Sequence, residues 1–280
     1  MQHLENKFIA CGGLPLYYQA WRPDTPPRAC LIIVHGLSEH SNRYMNLVNA
    51  LVPAGIAVYA FDHRGHGRSA ETLVAHVNDW AEYRGDVRAF VELVIGQENN
   101  IPLFIMGHSM GGLITANYVL HHPQGLSGVI LSAPPLGDVG VSLWLRLLGR
   151  LVSVLKPDAV FKSGLELNGI SRDPEVVEAY NNDPLIHGKV TARWSVEFFK
   201  AIEWTRDHAA EFPLPILIIH GDADQLVPIA GSRAFFDKID QSDKSYITYE
   251  GGYHESLNDI HYKQVVADIK NWLLERIKEK

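Results

Sequence analysis

One serine lies in a pattern that favours nucleophilic chemistry. Residues 107–111 read Gly-His-Ser-Met-Gly, directly after the apolar run 101–106 and just before the helical-looking segment 113–122. A strand, a sharp turn and a helix in this order expose a serine hydroxyl at the edge of a sheet. Such a tight turn crowds the backbone and favours residues without a Cβ beside the serine. The pattern predicts a nucleophile, Ser109, on an elbow formed with Gly107, His108 and Gly111.

A serine hydroxyl needs a base to activate it, and suitable residues follow downstream. Asp222 and Asp224 come after the apolar run 215–219, and His254 comes after the alternating run 245–249. Loops that follow parallel strands meet at one edge of the sheet. We therefore expect His254 to be the base and Asp224 to be the acid that orients it. Asp222 is the alternative acid, but the residue directly after the strand-end glycine is usually used in the turn.

Each predicted role has a chemical reason. Histidine titrates near neutral pH, so the reaction rate should rise between about pH 6 and 7 as His254 loses its proton. The developing oxyanion needs backbone donors, and the amide of Met110 directly follows the nucleophile. The second donor is expected from Leu37, in the loop after the apolar run 30–34. His35 is interpreted as a brace for that loop rather than as a catalytic residue.

Apolar runs alternate with helical segments along the chain, which is typical of a mostly parallel sheet with helices on both faces. An opening hairpin is predicted from 8–11 and 14–21, which flank two glycines. Amphipathic helices are predicted at 79–97 and 262–280. The fold class is therefore α/β, and the further strands are expected near 29–35, 57–62, 101–106, 128–133, 215–220 and 245–249.

The alternation breaks over residues 134–213, a stretch much longer than an ordinary crossover between strands. We expect a cap or lid insertion here, above a core made of 1–133 and 214–280. Within the insertion, the segment 139–155 is apolar except for four residues. These recur at spacings of three and four, as one stripe on a helix: Ser142, Arg146, Arg150 and Ser153.

Two interpretations of the segment 139–155 remain after a membrane-spanning helix is rejected because of its two arginines. The helix either packs its broad apolar face over an acyl pocket, or it also dips into a lipid surface as a transient contact. Packing is favoured, since amphipathic helices usually bury against their own protein. Three leucines are accordingly expected to line the acyl pocket: Leu145, Leu148 and Leu151.

The composition fits one ordinary catalytic domain. The chain has 280 residues, 46% of them hydrophobic, which is enough to bury a large core. Its formal net charge of −7 disfavours a nucleic-acid partner. The only cysteines, Cys11 and Cys30, are too few for a disulfide framework, and residues 1–10 lack the apolar core of a secretion signal. We therefore expect a cytoplasmic protein, peripheral at membranes if the inserted helix contacts lipid.

Strings rich in histidine and glycine do not predict a cofactor. Residues 62–66 read Asp-His-Arg-Gly-His, which a turn at a strand end explains better than a metal site. Gly65 and Gly67 lack the third glycine of a dinucleotide fingerprint and its later acidic partner. We expect neither a metal nor a cofactor. Glu39 and Arg43 are expected either to form a polar pair that steadies the Leu37 loop or to remain solvated.

Three longer strings give the chain a resemblance to a known family. They are HGLSEHSNRY at 35–44, FDHRGHGRS at 61–69 and GHSMGG at 107–112, with shorter matches at 182–185, 220–224 and 252–254. Together they resemble the monoacylglycerol lipase and lysophospholipase branch of the α/β-hydrolases, over nearly the whole chain. The resemblance implies the same assignments as the residues do: nucleophile Ser109, acid Asp224, base His254, and oxyanion donors Leu37 and Met110.

The predicted function is a serine hydrolase that cleaves acyl esters through an acyl-serine intermediate. The resemblance implies monoacylglycerol as the substrate, with lysophospholipid and simple carboxylic esters as alternatives. A serine aminopeptidase would want acidic residues in the insertion, for which Glu175 and Glu178 are candidates. An acyltransferase would use the same scaffold. An intact set of catalytic residues disfavours a non-catalytic scaffold protein.

Overall fold

The computed structural model describes residues 1–70, 73–98, 100–164 and 166–278. Within these residues, a central sheet is built from eight strands: β1 (Gln2–Ile9), β2 (Pro15–Arg22), β3 (Ala29–Val34), β4 (Ile56–Phe61), β5 (Leu103–His108), β6 (Gly128–Ser132), β9 (Ile216–Gly221) and β10 (Lys244–Tyr249). Two short strands form a separate antiparallel pair: β7 (Val160–Lys162) and β8 (Lys189–Thr191).

The helices of the described residues alternate with these strands. They are α1 (Met45–Leu51), α2 (Ala81–Gln97), α3 (Met110–His121), α4 (Leu143–Leu155), α5 (Pro174–Asn182), α6 (Ala192–Asp207), α7 (Ile229–Lys238) and α8 (Tyr262–Lys278). The predicted helix 262–280 is observed up to Lys278, and its last two positions lie outside the described residues.

The large sheet has the strand order β1-β2-β4-β3-β5-β6-β9-β10. Strands β3, β4, β5, β6, β9 and β10 run parallel to one another, whereas β1 pairs antiparallel with β2, and β2 with β4. The prediction of a mostly parallel sheet is therefore confirmed. Because the parallel strands run in one direction, the loops at their carboxyl ends meet along one edge.

The inner strands of the sheet are buried on both faces, and the alternation of side chains along a strand divides the core in two. On β3, Cys30, Ile32 and Val34 belong to the core cluster that includes residues of α2, α3, α6 and α7, whereas Leu31 and Ile33 belong to the cluster that includes residues of α1 and α8. Successive residues of a strand point to opposite faces, so a strand covered on both sides must be apolar throughout. This is why these strands read as unbroken apolar runs.

The opening hairpin forms, but its first strand was predicted in the wrong place. The strand occupies Gln2–Ile9 instead of 8–11, and Cys11 begins a short 3-10 turn. Nearly all side chains of β1 are exposed, because it is the edge strand of the sheet. The sequence of β1 therefore lacks an apolar pattern, and the antiparallel hydrogen bonds to β2 hold the strand in place.

The chain leaves the large sheet between β6 and β9, and α4 to α6 with the β7–β8 pair lie in this segment. Helix α4 begins at Leu143, later than the predicted 139, because the Ser142 hydroxyl caps it by accepting from the Leu145 amide at 3.5 Å. No helix among the described residues has the length and apolar character needed to cross a membrane.

The expectation that α4 buries its broad apolar face is wrong for most of that face. Trp144 is 73% and Val154 77% exposed, whereas Leu145 and Leu148 line an apolar cavity. Of the polar stripe, Ser153 is buried and the Arg146 guanidinium stacks 4.3 Å from the Phe199 ring of α6, while Ser142 and Arg150 are exposed. Hydrophobic periodicity identifies an amphipathic helix, but it does not determine which side the neighbouring residues cover.

Candidate active site

The turn between β5 and α3 holds Ser109 in a strained backbone conformation. Its φ is 51° and its ψ is −123°, a region that residues with a Cβ rarely occupy. The Ser109 amide donates to the Ser132 carbonyl at 2.8 Å, and its carbonyl accepts from Gly112 at 2.8 Å. These bonds tie the turn to β6 and to the first turn of α3. The Ser109 side chain consequently lines a cavity at the carboxyl edge of the sheet.

The glycines of the turn are required by close backbone contacts. A Cβ placed on Gly107 would lie 2.2 Å from the Gly111 carbonyl oxygen. A Cβ on Gly111 would lie 2.0 Å from the carbonyl oxygen of Val34, at the end of β3. Both distances are far below van der Waals contact, so a side chain at either position would force α3 away from the sheet.

Three predicted side chains that are distant in sequence meet at this edge. His254 Nε2 lies 2.8 Å from Ser109 Oγ, and His254 Nδ1 lies 2.7 Å from Asp224 Oδ2. Asp222 is elsewhere, where its carboxylate accepts from the Gly251 amide at 2.6 Å in the turn. The geometry is that of a serine, a base and an orienting acid in hydrogen-bonded series.

The two ionisable members of this series shift each other's pKa. Burial would raise the pKa of Asp224, but the charge of His254 and several hydrogen bonds hold it below its ordinary range. Burial would lower the pKa of His254, but the Asp224 carboxylate outweighs this effect and raises it. An opposite charge in hydrogen-bond contact favours the ionised form of each partner. His254 therefore holds a proton more readily than a solvated histidine.

The loop after β3 lies against the serine. A Cβ on Gly36 would be 3.2 Å from Ser109 Cβ, and Leu37 and Met110 both line the cavity. Met110 is the first residue of α3, so its amide lies at the positive end of the helix dipole. Ser38, the residue after Leu37, has a φ of 67°. The two predicted donor residues thus flank the nucleophile, and their oxyanion role stays a prediction.

His35 has the bracing position that was expected. Its Nδ1 donates to the Gly36 carbonyl at 2.7 Å, and its Nε2 accepts from the His63 amide at 2.9 Å. These partners fix the tautomer with a hydrogen on Nδ1. Burial lowers the pKa of His35 to about 3, so the ring is neutral at physiological pH.

A buried charge cluster connects the Leu37 loop to the loop that carries His254. Glu39 accepts from the Gly36 amide at 2.6 Å and from the Tyr44 hydroxyl at 2.7 Å. Arg43 lies 3.3 Å from Glu39 and bonds to Glu255, the residue after His254. Burial and the nearby Glu255 raise the pKa of Glu39, while Arg43 opposes this shift. The polar pair predicted from the sequence is therefore part of a three-residue network.

The loop that carries His254 is also bonded to the segment between β6 and β9. The His254 amide donates to the Gly169 carbonyl at 3.4 Å, and the Glu255 amide donates to Ile170 at 2.8 Å. Asp259 accepts from the Arg172 amide at 3.0 Å and from the Tyr253 amide at 2.9 Å. Residues 169–172 consequently hold the loop that carries His254.

The cavity at Ser109 has a volume of about 750 Å³ and a predominantly apolar lining. Leu145 and Leu148 line it, as predicted, although both are partly exposed on their outer side. Leu151 does not line it and is 58% exposed. Three further lining residues were not predicted, because their only signal in the sequence is apolar spacing along α6: Trp194, Phe198 and Phe199.

The acidic residues proposed for an aminopeptidase lie away from this cavity. Glu175 and Glu178 are on α5, and Glu178 borders a separate open groove with Arg172 and Asn181. Among the described residues, no group of three histidine, cysteine or acidic side chains is arranged to hold a metal ion.

Comparisons with known proteins agree with this geometry. The family described as serine aminopeptidase S33 matches residues 25–261. A monoacylglycerol lipase of Mycolicibacterium smegmatis is 36% identical over 98% of this chain and 98% of its own length.

Two solved structures are similar to this chain in fold and in sequence. The crystal structure of a Paleococcus ferrophilus monoacylglycerol lipase superposes with a TM-score of 0.86, at 30% identity over 93% of this chain and 99% of that one. A Saccharomyces cerevisiae monoglyceride lipase, crystallised with a substrate analogue, gives 0.88 at 25% identity over 98% and 94%. These neighbours confirm the α/β-hydrolase fold.

The close approach at Gly111 leads to a stability prediction. Gly111→Ala should lower the free energy of unfolding by about 3 kcal/mol, because the new methyl group overlaps the end of β3. Thermal or urea unfolding measures the change. Gly96→Ala is the control, since a Cβ there meets no atom within 4 Å and alanine favours a helix. Equal stability of the two variants would contradict the packing described for the elbow.

The raised pKa of His254 changes the pH dependence expected from the sequence. Only neutral His254 accepts a proton, so activity should fall as the pH decreases through its pKa. The midpoint of the acid limb of kcat/KM should lie above the ordinary histidine value of about 6.5. A pH series on a soluble ester measures it. A midpoint below about 6 would contradict the His254–Asp224 interaction.

Proposed function

The chain belongs to the family described as serine aminopeptidase S33, and we propose that it hydrolyses monoacylglycerol to fatty acid and glycerol through an acyl-serine intermediate. One observation carries the proposal. The hydrogen-bonded series Asp224, His254 and Ser109 lies at a largely apolar cavity of about 750 Å³. This volume is within the range of roughly 300–1,000 Å³ that small-molecule sites occupy. The monoacylglycerol lipases among its relatives support the choice of substrate.

In the first step, Ser109 Oγ attacks the ester carbonyl carbon as His254 Nε2 takes its proton. The contact of 2.8 Å between these atoms is suited to that transfer. Charge then develops on the carbonyl oxygen, which the amides of Leu37 and Met110 stabilise. Asp224 stabilises the imidazolium and keeps its Nδ1 hydrogen directed at the carboxylate. Collapse of the tetrahedral intermediate transfers the proton from His254 to the glycerol oxygen, which leaves.

In the second step, water replaces the alcohol. His254 removes a proton from the water as it attacks the acyl carbon, and the same amides stabilise the second oxyanion. Collapse releases the fatty acid and returns the proton to Ser109. His254 thus acts as the base in both steps, and the ester and one water molecule become glycerol and a fatty acid.

Residues 134–213 are proposed to be the cap, above a core of 1–133 and 214–280. Apolar side chains from α4 and α6 face the cavity and would surround the acyl chain of the substrate. Burial of each methylene group from water contributes about 0.8 kcal/mol, so a long chain gains several kcal/mol of binding free energy. This gain favours lipid esters over short ones.

The outward apolar face of α4 supports a peripheral contact with lipid. Trp144, Leu151 and Val154 are exposed and form no part of the cavity lining. An exposed apolar stripe on a helix is typical of contact with another surface. We propose that the protein is cytoplasmic, with Cys11 and Cys30 as free thiols, and that α4 touches membranes transiently to collect substrate.

Removal of the nucleophile tests the reaction. Ser109→Ala should reduce the hydrolysis of 1-monoacylglycerols by at least about a thousandfold, because the acyl-serine cannot form. The wild type and this variant are assayed on a chain-length series of monoacylglycerols and on matching lysophosphatidylcholines. Preference for the monoacylglycerols is expected. Faster turnover of the lysophospholipids would replace the proposed substrate, and an active Ser109→Ala variant would overturn the mechanism.

Two pairs of substitutions on α4 separate its two faces. Leu145→Ser with Leu148→Ser should lower kcat/KM for long-chain monoacylglycerols about tenfold while short-chain esters change little, since these residues line the cavity. Leu151→Ser with Val154→Ser should instead reduce sedimentation with phosphatidylcholine vesicles and leave turnover of dissolved esters unchanged. Equal effects of the two pairs in both assays would contradict the assignment of the faces.

A further inference from the structure

The acid of the catalytic series bonds to a second imidazole. Asp224 Oδ2 lies 2.7 Å from His254 Nδ1 and 3.1 Å from His220 Nε2, so two histidines converge on one oxygen atom. The other oxygen, Oδ1, accepts from the amides of Leu226 at 2.9 Å and Val227 at 3.0 Å. The carboxylate thus has four donors, and only one of them is the catalytic base.

The partners of His220 define which nitrogen donates. Its Nε2 also lies 2.9 Å from the Val227 carbonyl, and both this oxygen and the carboxylate can only accept. Because both partners are acceptors, Nε2 carries a hydrogen that is directed between the Val227 carbonyl and the Asp224 carboxylate. The ring is fully buried, so this hydrogen has no access to solvent.

The opposite side of the ring is held as well. Nδ1 lies 2.8 Å from the Ser232 hydroxyl of α7, which is 2.7 Å from the Tyr246 hydroxyl of β10. The ring is consequently bonded through both nitrogens, and it cannot turn without breaking contacts at each end. A chain of polar groups runs from β10 through α7 to the catalytic carboxylate.

We propose that His220 is a positioning residue that sets the basicity of His254 through Asp224. The inference rests on the proposed function for its catalytic meaning. A donor to a carboxylate stabilises its negative charge and weakens its attraction for another partner. The Nε2 hydrogen of His220 thus competes with His254 for Oδ2. Without it, Asp224 would hold the His254 proton more tightly and would lose one of the contacts that fix its plane.

This competition has a catalytic use. A base whose pKa lies far above the working pH is mostly protonated, so fewer molecules are ready to activate the serine. Burial alone would lower the pKa of His254, but the Asp224 carboxylate already raises it. His220 limits that rise while it keeps the carboxylate oriented. A buried histidine that served only to fill space between β9 and α7 would have no such effect.

Other charged or titratable groups face the two rings. They are Glu39, Arg43, Glu255 and the His108 ring around His254, and Tyr246, with Arg233 stacked 3.6 Å from its ring centroid, next to His220 through Ser232. Each of them stays in the sequence when His220 is substituted, and Tyr246 reaches His220 only through Ser232. A change in the pKa of His254 can therefore be traced to the lost donor.

The test measures the pKa of His254 directly, by NMR titration of histidine-labelled protein. His220→Leu should raise this pKa by about half a unit or more, because the donor to Oδ2 is gone. His220→Gln should restore it to nearly the wild-type value, since its side-chain amide can place an N–H near the position of Nε2. In kinetics, His220→Leu should lower kcat about tenfold and change KM less than about twofold.

His66→Leu is the matched control, because His66 is equally buried but bonds to the Arg64 carbonyl at 3.0 Å. It should leave the pKa of His254 unchanged. Ser232→Ala, which frees Nδ1, should raise that pKa in the same direction by less, and it decides the question if His220→Leu does not fold. An unchanged pKa in both His220→Leu and Ser232→Ala, or an equal shift in His66→Leu, would overturn the proposal.

The titration also separates this inference from the proposed function. A wild type that hydrolyses no ester would refute the proposed reaction. The pKa of His254 in the His220 variants would still decide whether His220 acts on the pair.

Discussion

The close packing of the Ser109 turn against the ends of β3 and β6 is the constraint on which the rest of the site depends. Gly111 touches the last carbonyl of β3, and the Ser109 amide bonds to the last residue of β6. These contacts hold a non-glycine residue at a φ of 51°, which is unfavourable for an isolated chain. The buried strands β3 and β6 hold Ser109 in this strained conformation. A stable core therefore determines where the hydroxyl points, to within the 2.8 Å contact that proton transfer requires.

Electrostatics at the site follow from the same burial. In water, a histidine and an aspartate would interact weakly, but the low local dielectric makes their attraction outweigh the loss of hydration. His35 shows the opposite result, since its hydrogen-bond partners are neutral and burial lowers its pKa. Two buried histidines thus differ in charge behaviour because only one of them faces a carboxylate.

Much of this arrangement could be predicted from the sequence. Ser109, Asp224 and His254 each follow an apolar run, and parallel strands bring such positions to one edge, so spacing alone predicted that they would meet. The β1 strand was misplaced because an exposed edge strand needs no apolar residues. The exposure of most of the apolar side of α4 was not predicted, because periodicity shows that a helix has two sides but does not show how much of each side its neighbours cover. His220 gave no separate signal, since one histidine before a glycine resembles any residue at a strand end.

The bonds between residues 169–172 and the His254 loop divide the insertion into two parts with different freedom to vary. Residues 169–172, which bond to Asp259 and Glu255, help to position the loop that carries His254, although they lie outside the large sheet. The hydrogen bonds of Arg146 on helix α4 run instead to Val141 and Asp138, and most of the apolar side chains of this helix are exposed. A change in α4 therefore alters the cavity lining and the outer surface, whereas a change in residues 169–172 also acts on the loop that carries His254. The insertion thus combines an outer helix that can change independently with an inner segment that is bonded to the His254 loop.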